Sequence, residues 1–181
     1  MSYEFQETSL QPITFISTGG TIDKVYFDAA SEFEVGESVV QHILREALVG
    51  FEWQQLELMR KDSLEITEAD REQIADTIRQ HPGTRFIVTH GTDTMADTAE
   101  RLRVIEGKTI VLTGALTPAR FRTTDAVFNV GLAVAAVQVA TAGVYIAMSG
   151  QIFKAGDVRK NRDERRFERI TDAGSGNKTE T

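Results

Sequence analysis

Cysteine is absent from the chain. Disulfides, thiol catalysis and cysteine-based zinc sites are excluded with it. Positive charge is in deficit: 20 lysines and arginines stand against 27 aspartates and glutamates, a formal net charge of -7. That balance argues against a nucleic-acid surface or an anionic membrane, since neither attracts an acidic protein. No apolar run is long and unbroken enough to span a bilayer; residues Val127 to Tyr145 come closest, and Asn129, Gln138 and Thr141 interrupt them. The first residues have neither the basic nor the apolar region of a signal peptide, so a cytoplasmic protein is expected. His42, His81 and His90 show no metal-ligand spacing, and no internal repeat is visible.

What is present begins with size. A chain of 181 residues, 41% hydrophobic and 26% charged, suits one soluble domain with a sizeable core. Residues 1–11 read as a polar lead-in, 12–169 as a single α/β domain, and 170–181 as a disordered tail without large apolar residues. Short β-branched runs at Ile13–Ser17, Trp53–Met59, Arg85–Thr89, Lys108–Thr113 and Gly143–Met148 predict strands. Helical spacing predicts helices over Ser38–Leu48, from an N-cap at Thr67 to about His81, over Asp93–Arg103, and over Asp125–Ala140, which is apolar over so wide an arc that deep burial is expected. Gly150 to Phe153 suggests a short hairpin. Asp23–Glu37 fits neither period and reads as a long loop of the kind that serves as a lid. Arg159–Arg169 reads as a dense charge run. Strands alternating with helices predict an α/β fold with a mostly parallel sheet flanked by helices, a Rossmann- or flavodoxin-like three-layer sandwich.

Two Gly-Thr clusters follow apolar runs: Thr18-Gly19-Gly20-Thr21-Ile22 after the first strand, and Thr89-His90-Gly91-Thr92-Asp93-Thr94-Met95 at the end of the third. Ligands of open α/β sheets bind at such strand ends. Neither cluster is a Walker A loop, because the Gly-Lys-Ser/Thr ending is missing, and neither is a Gly-x-Gly-x-x-Gly fingerprint. Adjacent glycines let a ligand approach backbone N–H groups, but a plain strand-to-loop turn uses them equally well. Thr92 or Asp93 can cap a helix, or Asp93 can hold an ammonium group while Thr92 faces a reacting centre. Lys160, in Gly156-Asp157-Val158-Arg159-Lys160-Asn161, is either solvated charge or a base for a threonine hydroxyl. The second role requires desolvation or a cationic neighbour. His90 reads as structural.

Taken together, these segments resemble the bacterial L-asparaginase/glutaminase family. Its first signature looks like Thr18 to Ile22 and its second like Thr89 to Met95. Leu112-Thr113-Gly114-Ala115 with Pro118, Asp125-Ala126-Val127-Phe128-Asn129, and Gly156-Asp157-Val158 with Lys160 and Asn161 are similar as well. The resemblance implies a cofactor-free amidohydrolase acting on L-asparagine, with weak action on L-glutamine. It implies Thr21 as first nucleophile, Thr92, Asp93 and Lys160 as a second constellation, Asp93 as the holder of the substrate ammonium, and N–H groups near Gly20 and Thr92 as oxyanion donors. Gly20, Asp62, Ser63, Gly91, Thr92 and Asp93 are the substrate-binding positions it suggests. A homodimer or homotetramer is expected with it.

Three departures stand out. Family members are about twice as long, so the chain resembles short single-domain asparaginases that match only the N-terminal domain. The family's helper tyrosine aligns with Phe33, yet Tyr26 lies in the same segment and alone carries the phenolic hydroxyl for a proton relay, so Tyr26 is preferred. The family's carboxylate-binding segment reads Arg60-Lys61-Asp62-Ser63 here, so Ser63, Asp62 or Lys61 is expected to line the pocket, with a cation on the carboxylate. Two alternatives belong to other classes: a non-catalytic module that binds aspartate or asparagine, and a nucleotide-binding α/β domain for which only the fold speaks.

Overall fold

The computed structural model describes residues 11–27 and 32–170. Most of the expected lead-in and tail, 1–10 and 171–181, lies outside the described residues. At the centre is a six-stranded sheet in the order β4-β1-β5-β6-β7-β8. Strands β1 (Ile13–Gly19), β4 (Trp53–Lys61), β5 (Arg85–Thr89), β6 (Thr109–Thr113) and β7 (Gly143–Met148) run parallel; β8 (Gln151–Lys154) turns back antiparallel on β7. The α/β fold with a mostly parallel sheet is thus the observed one.

Burial on both faces explains the unbroken apolar runs. Ile16, Phe86, Val88, Ile110, Leu112 and Ile146 point into one core, covered by α2 (Glu68–Gln80) and α3 (Met95–Leu102). The alternate residues Ile13, Phe15, Ile87, Val111 and Ala147 point into the other, covered by α1 (Val40–Glu46) and α4 (Ala126–Val139). Edge strand β4 is only half-buried, and its sequence accordingly alternates. Helix α2 begins where its capping box predicts: Thr67 Oγ1 accepts from the Asp70 N–H at 3.2 Å, and the Asp70 carboxylate accepts from the Thr67 N–H at 2.8 Å.

Three sequence expectations change. The 23–37 segment is not a bare loop: β2 (Lys24–Phe27) and β3 (Glu32–Val35) pair antiparallel. The run 159–169 is not simply solvated charge: β9 (Val158–Asn161) and β10 (Arg166–Arg169) form a hairpin anchored by Val158 and the fully buried Phe167. Helix α4 buries only one side, through Ala126, Val130, Ala133, Ala136 and Val137, while Val127, Phe128 and Val139 are exposed. No helix among the described residues is long and apolar enough to cross a membrane.

Candidate active site

The carboxyl ends of β1, β5 and β6 meet at backbone contact. Gly20, with φ 91°, sits so close to the next turn that a Cβ there would lie 2.4 Å from the Gly91 nitrogen. A Cβ on Gly91 would lie 2.5 Å from that of Ser63, and one on Gly114 would lie 2.3 Å from the His90 carbonyl oxygen. Glycine is therefore needed to bring these turns together, and at Gly20 the left-handed backbone needs it as well. The buried Thr18 hydroxyl ties the two motifs by donating to the Thr89 carbonyl at 2.8 Å.

Thr21 opens the 3-10 turn Thr21–Asp23 directly after Gly20 and lines a cavity of about 500 Å³. Thr92, Asp93 and Lys160 line the same cavity. The Lys160 ammonium donates to Thr92 Oγ1 at 2.7 Å and to Asp93 Oδ1 at 2.9 Å. Lys160 reaches in from β9, where its side chain is 19% exposed, and Asp93 keeps 31%. The amine is thus largely withdrawn from solvent while the carboxylate stays open to a ligand. Ser63 is buried behind Asp93, and its hydroxyl donates to Asp93 Oδ2 at 3.4 Å. The Thr94 hydroxyl donates to the Ser63 carbonyl at 2.7 Å.

The remaining candidates lie further out. Asp62 turns to Lys24 as an ion pair. Burial opposes its ionisation, but the hydrogen bond and charge of Lys24 and the hydrogen bonds from Ser63 hold its carboxyl below the ordinary range. Lys61 is bound to both oxygens of Asp70 at 2.8 Å, and Arg60 pairs with Glu57. Neither Lys61 nor Asp62 lines the cavity. Tyr26 and Phe33 face each other as cross-strand partners in the β2–β3 pair, and their side chains lie outside the described residues.

Two buried titratable groups frame the site. Asp23 is 1% exposed, and burial pushes its carboxyl up to about 7 although the Val39 N–H donates to it. His90 is fully buried, and desolvation lowers it to about 4. Its Nδ1 lies 2.7 Å from the Gly91 carbonyl and its Nε2 2.9 Å from the Thr98 hydroxyl. A carbonyl only accepts, so Nδ1 carries the proton and Nε2 accepts from Thr98. His90 is a neutral spacer beneath the second motif. Arg162, Arg165, Leu64 and Leu116 also line the cavity. The sequence reading missed all four; Arg162 and Arg165 were hidden inside the charge run.

The sequence model of the asparaginase family, N-terminal domain, matches residues 12–172. The glutaminase-asparaginase of Acinetobacter glutaminasificans is 34% identical over 93 residues, which are 49% of this chain and 28% of that protein. A protein of Haemophilus influenzae named as a probable periplasmic L-asparaginase is 40% identical over 80 residues, 41% of this chain and 23% of that one. The thermostable L-asparaginase of Thermococcus kodakarensis superposes with a TM-score of 0.75 at 23% identity, covering 88% of this chain and 51% of its own, a likeness of fold. The chain spans about half the length of that solved relative, and the two sequence matches cover about a quarter of theirs.

Proposed function

The chain belongs to the asparaginase family, as a match to its N-terminal domain, and from that premise we propose that it is an L-asparaginase. It would release ammonia from L-asparagine through a threonine nucleophile and leave L-aspartate, with weaker action on L-glutamine. One observation carries the reading: Lys160 lies 2.7 Å from the Thr92 hydroxyl and 2.9 Å from Asp93, in the cavity that Thr21 lines.

In this reading the Thr21 oxygen attacks the side-chain amide carbon. N–H groups near Gly20 and Thr92 receive the oxyanion, a donation worth about 3–4 kcal/mol per donor in other acyl-transfer enzymes. The C–N bond breaks, the nitrogen takes up a proton and leaves as ammonia, and an ester remains on Thr21. Water adds to the ester, aspartate departs, and Thr21 regains its proton. Thr92 passes protons to and from Lys160, Tyr26 relays the proton of Thr21, and Asp93 holds the substrate ammonium. The reaction needs no cofactor, because hydroxyl, amine and backbone N–H groups supply every proton and charge of the two acyl transfers.

A second reading is a module that binds aspartate or asparagine in the same cavity without turnover. Ammonia release from L-asparagine separates the two. Activity is expected in the unmodified chain and none in Thr21→Ala, with the fold of the variant intact because a turn residue packs little. Lys160→Met is expected to lose about 100-fold or more in kcat with a smaller change in binding. Full activity in Thr21→Ala would overturn the nucleophile; no ammonia from the folded unmodified chain would favour the binding module.

A further inference from the structure

We propose that Arg162 and Arg165 form the carboxylate-binding end of the pocket, so that the site selects amides that also carry a free carboxylate. The inference rests on the amidohydrolase reading for the amide end of the substrate.

The charges around the cavity do not balance. Among the described residues, Lys160, Arg162 and Arg165 line it with a single carboxylate, Asp93. Lys160 is paired to Asp93, and Arg162 reaches the same oxygen only at 3.7 Å with 74% of its side chain exposed. Arg165 makes no ion pair with any described residue. The pocket is therefore cationic in a chain whose net charge is -7, and its unspent groups are guanidiniums. Their planar forks match a carboxylate through paired hydrogen bonds. The cations of the 60–63 segment are committed elsewhere, Lys61 to Asp70 and Arg60 to Glu57, and Lys24 is paired with Asp62.

The frame that carries the two arginines is fixed. Phe167 is fully buried beneath the hairpin, Arg159 bridges to Glu168 at 2.7 Å, and Asn161 donates to Glu168 at 3.1 Å. Asn161 Oδ1 accepts from the N–H groups of Asp163 and Glu164 at 3.1 Å, which shapes the turn between the strands. Arg165 closes that turn with φ 49°, a left-handed conformation that glycine adopts more readily than arginine. Its side chain is exposed and makes no ion pair with a described residue, so the left-handed backbone is not matched by a fixed polar partner. A ligand carboxylate supplies the partner.

The test uses the full chain carrying Thr21→Ala, so that ligands are not turned over, titrated calorimetrically with two probes. Succinamic acid has an amide and a carboxylate but no ammonium; 3-aminopropanamide has an amide and an ammonium but no carboxylate. Succinamate is expected to bind, and Arg162→Gln or Arg165→Gly to weaken it about 10-fold or more each, with affinity falling as salt rises. Binding of 3-aminopropanamide should be unaffected by either change. Arg165→Gly should melt no lower than its parent, because glycine relieves the backbone, so a loss of affinity there is not a loss of fold. Unchanged succinamate affinity in both variants, or no succinamate binding before they are made, overturns the proposal. If the arginine variants lose succinamate while the unmodified chain releases no ammonia from asparagine, the hydrolase reading fails and the carboxylate end stands.

Discussion

Asp23 follows the first Gly-Thr turn and His90 belongs to the second; both are buried, and their burial acts on stability with opposite sign. Asp23 has its carboxyl raised to about 7, so the folded chain holds a proton that the unfolded chain has released. Stability then falls as pH rises from about 4 to 7 and levels off above, by an amount on the order of 4 kcal/mol at most. His90, lowered to about 4, stays neutral in the folded chain while the unfolded chain takes up a proton. Its contribution is fully present above about pH 6.5 and is lost as pH falls toward 4. The two slopes oppose each other between pH 4 and 6.5. Asp23→Asn keeps an acceptor for the Val39 N–H and removes the first slope. The variant should gain stability over its parent as pH rises to 8, and its own stability should climb from pH 4 to 6.5. Urea midpoints across that range check both.

At the scale of elements, the β9–β10 hairpin decides the site. It brings Lys160, Arg162 and Arg165 to the strand ends, and it is held down mainly by Phe167 and Val158 in the core shared with α2 and α3. Phe167→Ala should cost about 3–5 kcal/mol in denaturant melts. Because the loss falls on the element that positions Lys160, ammonia release should drop toward that of Lys160→Met even where circular dichroism shows the chain folded. Retention of full activity by the folded variant would mean that the hairpin is positioned by its polar contacts alone. The Thr67 capping box is a contrast: Thr67→Ala removes one cap, about 1 kcal/mol, from a helix that contributes no lining residue to the cavity, and should leave turnover untouched.

Over the whole molecule, the outer face of α4 is an apolar surface that no described residue covers. The helix carries no charged residue, and Val127, Phe128 and Val139 are 54%, 65% and 79% exposed. A second copy of the chain suits it, since two uncharged faces meet without the repulsion that a net charge of -7 imposes elsewhere. Sedimentation should therefore show a dimer or tetramer of the 20.1 kDa chain, and Phe128→Lys should lower the association state. A monomer at all concentrations before mutation would leave that face a solvent surface.

Pattern and turn chemistry were legible because they are local. Ile13–Gly19, Arg85–Thr89, Thr109–Thr113 and Gly143–Met148 are nearly continuous apolar or β-branched runs, which a sheet covered on both faces requires. The Gly-Thr turns follow directly in sequence, so the placing of Thr21 and Thr92 at strand ends could be read without a structure. The β2–β3 and β9–β10 hairpins could not. Each strand has four residues, and in the second hairpin the charges mask the alternation of the two buried anchors, Val158 and Phe167. Nor does sequence spacing say that Lys160 meets Thr92, 68 positions away, or that Lys61 and Asp62 turn to Asp70 and Lys24 rather than to the cavity. The chain by itself determined the layers and the turns, through periodicity and backbone sterics. Which charges meet which was decided only by tertiary structure, because an ion pair depends on where distant elements pack.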